Sequence, residues 1–284
     1  MTTVPPLACS TITFRHYRLP KALDIIAELG FDQVDLGALA GLCEHVPPNG
    51  SAAALSEVAT QVRASSLMVT SVNADPGSFN SAESRSTVLG AIHRLLDFCA
   101  DAGSPRLVLT CGAPEQPAVA SHTQVGLVAD GLNTALERAQ ELGIELVVEA
   151  PHYFRLVNTV SRAQALLSAL SPAVRQAWDV SHVRASGQDP AGLFPRFAHR
   201  VSIVHLRDAL LGDIRRPMGL GDVDFGGVFA SASASGFDGP YVLELETHDS
   251  PFETKEEEVR SALSHLSTAA TSAATSAAIG GEEQ

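Results

Sequence analysis

Eight short apolar segments, each followed by enough chain for one helix, set the strongest limit on how this sequence can fold. They read LACSTIT (7–13), QVDLG (33–37), LMVTSVNA (67–74), RLVLTCG (106–112), IELVVEA (144–150), VRQAWDV (174–180), VSIVHLRD (201–208) and YVLELE (241–246). Several are apolar almost throughout, the pattern of strands covered on both faces. Such strands run parallel, and parallel neighbours need a crossover of about a dozen residues or more, which the intervening segments supply.

Those segments carry helix punctuation. Pro20 sits where a first turn would start, Leu23, Ile26, Ala27 and Leu29 follow at helical spacing, and Gly30 provides a left-handed stop. Segments 83–102 and 124–142 end likewise at Gly103 and Gly143. A doubly wound open sheet shares this grammar, but its phosphate-binding G-x-G-x-x-G is missing after the first segment, where residues 10–16 read STITFRH. The expected fold is therefore α/β, a single (β/α)8 barrel over residues 1–267, and a length of 284 suits it. Residues 268–284, rich in Ala, Ser and Thr, are expected to form a disordered or loosely helical tail.

A formal net charge of -13 argues against nucleic acid as a partner, because phosphate backbones are bound by dense Lys and Arg. The chain has no apolar run long enough to span a bilayer, and its opening MTTVPPLACS lacks the pattern of a secretory leader, so no membrane partner is expected. Cys9, Cys43, Cys99 and Cys111 are scattered without a C-x-x-C pair, which fits a reducing cytoplasm better than a disulfide framework.

In such a barrel, chemistry is carried at the C-terminal ends of strands and in the loops that follow them. Glu149 ends the fifth segment, Asp179 and His205 lie near the ends of the sixth and seventh, and Glu244 lies in the eighth. Taken singly, each has an ordinary explanation as an ion-pair member or a hydrogen-bonded core histidine. Taken together they do not, since three acids inside LVVEA, QAWDV and VLELE are costly to bury and few basic residues occupy the neighbouring strands. One divalent ion supplies the compensation; three carboxylates with one imidazole and no thiolate suit Mn2+, Mg2+ or Co2+.

Other residues are expected around that centre. Glu246, two residues past Glu244 and on the same side of its strand, is a supporting group or substitute ligand, and Asp208 is a second group expected to support the metal ligands. His45 and His152, just after the second and fifth strands, are substrate contacts. Arg207 and Asp208, with Arg215 and Arg216, surround GLGDVDF (219–225); they grip a polyol or anionic substrate or are solvated surface charge. Within that segment Gly219 and Gly221 can shape a surface turn, with Asp222 capping a helix near Phe225. His122 is expected at the surface.

The segments ELVVEAPH, WDVSH, VHLRD, GLGDVDF and FDGPYVLELE, in this order, together with the opening KALDIIAELGFDQVDLG, resemble the xylose-isomerase-like TIM barrel superfamily of sugar phosphate isomerases and epimerases. The resemblance implies Glu149, Asp179, His205 and Glu244 as metal ligands, His182 as a contact to a substrate oxygen, and GLGDVDF as a loop over the active site. It implies a small sugar substrate, phosphorylated or not, and leaves a homo-oligomer open. A metal so placed would chelate neighbouring carbonyl and hydroxyl oxygens and stabilise an enediolate, with Glu149 and Glu244 as general base and acid.

Departures from relatives narrow the choice. Lys21 and Lys255 are the only lysines and both belong to helical segments, which removes a Schiff-base aldolase and separates the chain from the lysine-dependent isomerase that names the superfamily. The multi-zinc endonuclease branch needs further histidines, yet the fourth strand ends in Thr110, Cys111 and Gly112. Ketose 3-epimerases tend to carry an arginine where Asp208 to Leu211 stand here, and the H-x-R-D form at His205 to Asp208 is more similar to keto-inositol dehydratases. A sugar isomerase or epimerase is the first expectation, a lyase using the same enolate the second, and a metal-free binding module the third.

Overall fold

The computed structural model describes residues 6–81 and 83–280, with side chains as far as residue 272. Each of the eight apolar segments contains a strand: β1 (Leu7–Ser10), β2 (Gln33–Leu39), β3 (Met68–Asp75), β4 (Arg106–Thr110), β5 (Glu145–Glu149), β6 (Arg175–Asp179), β7 (Val201–Leu206) and β8 (Tyr241–Leu243). Every neighbouring pair is parallel, and β1 pairs with both β2 and β8, so the sheet closes into the expected (β/α)8 barrel.

The helices between them form where the punctuation places them. α1 (Leu19–Glu28) carries Pro20 in its first turn and buries Leu19, Ala22, Leu23, Ile25 and Ile26 along one face. α2 (Ala52–Ala64) and α3 (Arg85–Ala102) start on the side-chain caps Ser51 and Ser84. α3 and α4 (Ser121–Leu142) both stop on a left-handed glycine, Gly103 at φ 75° and Gly143 at φ 68°. α5 (Val160–Ala169), α6 (Val180–Ala185), α7 (Pro190–Phe197), α8 (Phe225–Ala234) and α9 (Lys255–Gly280) complete the outer ring.

Two tiers of apolar contact explain why the strands read as continuous apolar runs. Leu146, Val148, Trp178, Val204, Leu206, Leu243 and Leu245 join the large core between barrel and helices. Ala8, Val108, Val147, Ala177, Ile203 and Val242 form a separate, fully buried cluster inside the barrel. Side chains alternate along a strand, so the residue two positions beyond each inner one lies on the same side, one step nearer the C-terminal face. Those residues are Ser10, Thr110, Glu149, Asp179, His205 and Glu244.

One local expectation changes. The cap of α8 is Asp224, which accepts from Gly227 N at 2.9 Å; Asp222 instead makes a bidentate pair with Arg184, both contacts at 2.6 Å. The Ala, Ser and Thr tract continues α9 to Gly280, with Val259, Ala262, Leu266 and Ala270 buried at helical spacing; residues 281–284 lie outside those described. The four cysteines are free and buried, and among the described residues no helix is long and apolar enough to cross a membrane.

Candidate metal centre and active site

Glu149 and Asp179 are the last residues of β5 and β6, His205 lies one residue before the end of β7, and Glu244 is the first residue past β8. Each offers one donor atom, and the four atoms lie within 4.8 Å of one another, all on buried residues. His205 Nδ1 is 2.9 Å from Glu149 Oε1 and 3.6 Å from Glu244 Oε2. Asn73, reaching over from β3, donates to Glu244 Oε1 at 3.4 Å.

Asp179 is held from two directions. Its Oδ1 accepts from Ser181 N at 2.7 Å, His182 N at 3.1 Å and Ser181 Oγ at 2.6 Å, which makes it the N-cap of α6. Its Oδ2 faces Arg207 Nη2 at 3.2 Å. Arg207 is therefore a partner within the cluster, only 2% exposed, and it also reaches Glu246 Oε2 at 3.3 Å. The expectation that few basic residues stand near these acids is corrected by this one arginine: it pairs directly with Asp179 and its charge also reaches Glu244, while the near contact of both Glu149 and Glu244 is His205. Glu246 lines the cavity above Arg207 and lies outside the four-atom donor group.

Burial and proximity pull these groups apart. Burial opposes charge on Glu149, but the hydrogen bond and the charge of His205 outweigh it and hold the carboxyl well below its usual range. Burial pushes Glu244 up to about 8 against the pull of Arg207 and His205. Burial opposes charge on His205 too, yet the hydrogen bond to Glu149 and the surrounding acids carry it to about 10. In this state a proton on the imidazole occupies the electrostatic role of a cation between two carboxylates. Its Nε2 has no hydrogen-bond partner among the described residues, and buried Asp35, held by Ser10 at 2.7 Å and Ser71 at 2.6 Å, adds negative potential to the ring. Oxygen donors with one imidazole, buried and short of positive charge, fit a hard or borderline divalent ion.

The other expected residues divide. His152 and His182 come together, their rings stacked with centroids 3.8 Å apart. His182 Nδ1 accepts from Tyr153 N at 3.1 Å, which turns Nε2 toward Asp179 Oδ2 at 3.7 Å, and His152 Nε2 lies 3.6 Å from Glu149 Oε2. Burial pushes both rings down to about 3, so both are neutral. His45 is not brought to the site: its Nε2 is 2.8 Å from the Tyr17 carbonyl oxygen and its Nδ1 3.4 Å from Cys43 Sγ. Asp208 is corrected as well. Its carboxylate accepts backbone N–H groups of Ala209, Gly219, Gly221 and Val223 at 2.8 to 3.1 Å, and so anchors the loop instead of supporting a metal ligand. Arg215 and Arg216 belong to a surface hairpin, Arg216 facing Asp213 at 3.8 Å, and His122 is exposed.

A cavity of about 390 Å3 opens over the cluster. Asn73, Asp75, Thr110, Phe154 and Arg155 line it and were not anticipated. Ser71, Asn73 and Asp75 are polar at every second position of β3, a readable sign of an inward face. Arg155 reaches Asp75 Oδ2 at 2.5 Å from a loop with no local signal of its own.

The fold and this cluster define a (β/α)8 barrel with a carboxylate and histidine centre at the face where such barrels hold their chemistry. The chain belongs to the xylose isomerase-like TIM barrel family, whose model matches residues 23–269. It is 27% identical over 138 residues to an inosose dehydratase of Lacticaseibacillus casei, a match covering 42% of this chain and 46% of that protein. The chain thus spans less than half the length of the first curated relatives it matches. It is 26% identical over 198 residues to an L-ribulose-5-phosphate 3-epimerase of Escherichia coli O157:H7, covering 68% of this chain and 69% of that one. Among solved structures, the IolI protein with a bound zinc atom superposes with a TM-score of 0.76 at 17% identity, covering 94% and 98% of the two chains.

Proposed function

We propose that this chain is a divalent-metal-dependent enzyme that isomerises or epimerises a sugar by moving a proton on the carbon beside its carbonyl. The observation that carries this reading is the convergence of donor atoms from Glu149, Asp179, His205 and Glu244 within 4.8 Å beneath an open cavity. When bound, a divalent ion would polarise the sugar carbonyl and acidify the neighbouring C–H.

The chain's own groups then divide the work. Glu149 and Glu244 rise from strands separated by β6 and β7, so they approach from different sides and serve as base and acid for proton removal and return. Asn73 orients Glu244 by its hydrogen bond, as His205 orients Glu149. His182 and His152, neutral and stacked, present ring nitrogens to substrate oxygens. Arg207 holds Asp179 and Glu246 in place and closes one wall of the cavity.

A lyase is the second reading, favoured by the inosose dehydratase match and by the His205 to Asp208 sequence HLRD. Incubation of the Mn2+-loaded protein with a panel of ketoses and keto-inositols in 2H2O separates the two. Exchange of the carbon-bound proton with the carbon skeleton otherwise intact supports the isomerase or epimerase, and loss of water supports the lyase. Glu149→Gln and Glu244→Gln should each slow exchange by about a hundredfold or more. Near-normal turnover in both variants, or less than about 0.2 metal per chain after Mn2+ soaking, sinks the enzymatic reading in favour of a binding module.

A further inference from the structure

The proposed function leaves the charge of the substrate open, and the cavity walls bear on it. We propose, resting on that function, that the site selects an uncharged keto-polyol and rejects its phosphate ester. A phosphate monoester brings a charge of about -1.5 to -2 and needs charge-assisted donors: a free guanidinium, or a run of backbone N–H groups. Barrels often place such an anion site in the loops after the seventh and eighth strands.

Here both devices already hold an internal carboxylate. Among the described residues lining the cavity, the permanent cations are Arg155 and Arg207. Arg155 is paired with Asp75 at 2.5 Å. Arg207 is paired with Asp179 at 3.2 Å and Glu246 at 3.3 Å. The loop after β7 has the glycine-rich form of an anion nest, but the N–H groups of Gly219, Gly221 and Val223 all point at Asp208. The N-terminus of α6, directly after β6, is filled by Asp179 itself.

The balance of charge runs the same way. Asp75, Glu149, Glu244 and Glu246 line the cavity and Asp179 lies in the donor group beneath it, against two guanidinium groups, so even a divalent ion leaves no surplus positive charge for a dianion. The overall charge of -13 adds long-range repulsion. What the walls do offer a neutral polyol is uncharged polarity, from Asn73 and Thr110.

The test uses the full chain loaded with Mn2+, a free ketopentose, the 5-phosphate of that ketopentose, and a keto-inositol, read by calorimetric binding and by deuterium uptake from 2H2O. The uncharged compounds should outperform the ester by roughly tenfold or more in both readouts. Asp75→Asn releases Arg155 and should shift the ratio of the two affinities toward the ester by a similar factor. An ester bound or exchanged at least as well as its parent sugar overturns this inference alone, as does a ratio that Asp75→Asn leaves unmoved. A protein that takes up no metal and exchanges no carbonyl compound overturns the proposed function, and the inference with it.

Discussion

Asp179 shows how one residue can serve two levels of structure. One oxygen starts a helix and the other faces the cluster, so its position is fixed before any ion arrives. Arg207 is what makes that arrangement tolerable in the interior. Arg207→Ala would leave Asp179 and Glu246 uncompensated, and urea unfolding should show a loss of about 3–5 kcal/mol. The proton shared around His205 has a further consequence. Burial pushes Glu244 up to about 8, and its acidic neighbours carry His205 to about 10, so near neutrality a cation entering the cluster must displace protons. Apparent Mn2+ affinity should therefore rise with pH between about pH 6 and about pH 8, by roughly tenfold per unit for each proton released. A flat titration over that window would mean that the metal binds elsewhere.

At the level of elements, the loop after β7 depends on a single carboxylate. Asp208 gathers three N–H groups between Gly219 and Val223, and a Cβ at Gly221 would collide with its Oδ1. Asp208→Ala and Gly221→Ala should produce the same lesion, a loss of about 2–3 kcal/mol in stability. Hydrogen exchange should rise at the amides of residues 219–223 in both variants. Gly219 and Gly221 were legible as a turn, but the role of Asp208 was not: a carboxylate close to a strand-end histidine looks like a metal support, and only the folded loop shows four amides turned toward it. His45 is a similar case. Its place just after a strand suggested the cavity, but the short pairing of Cys43–Glu44 back onto β2 turns the ring to the Tyr17 carbonyl. The strands themselves, the glycine stops and the places of Glu149, Asp179, His205 and Glu244 at strand ends could be read because period and punctuation are local, whereas Asp75–Arg155 joins residues 80 positions apart.

For the whole molecule, a centre built from four strands makes ligand binding and folding one equilibrium. Mn2+ at about a hundredfold excess over its Kd should add about 2.7 kcal/mol. In a domain of this size that is a rise in Tm of about 5–10 °C, reversed by a chelator. Glu149→Gln should lose most of this rise, and its persistence would place the ion outside the barrel. The donors are tied to the inner apolar cluster through one intervening residue each: Val147 to Glu149, Ala177 to Asp179, Ile203 to His205 and Val242 to Glu244. Exchanging hydrocarbon for hydrocarbon in that cluster, as in Ala177→Val, would displace a donor oxygen by whatever amount the crowded strand must yield. On the proposed function, preference among ions of different radius would thereby be tuned by methyl groups that never touch them.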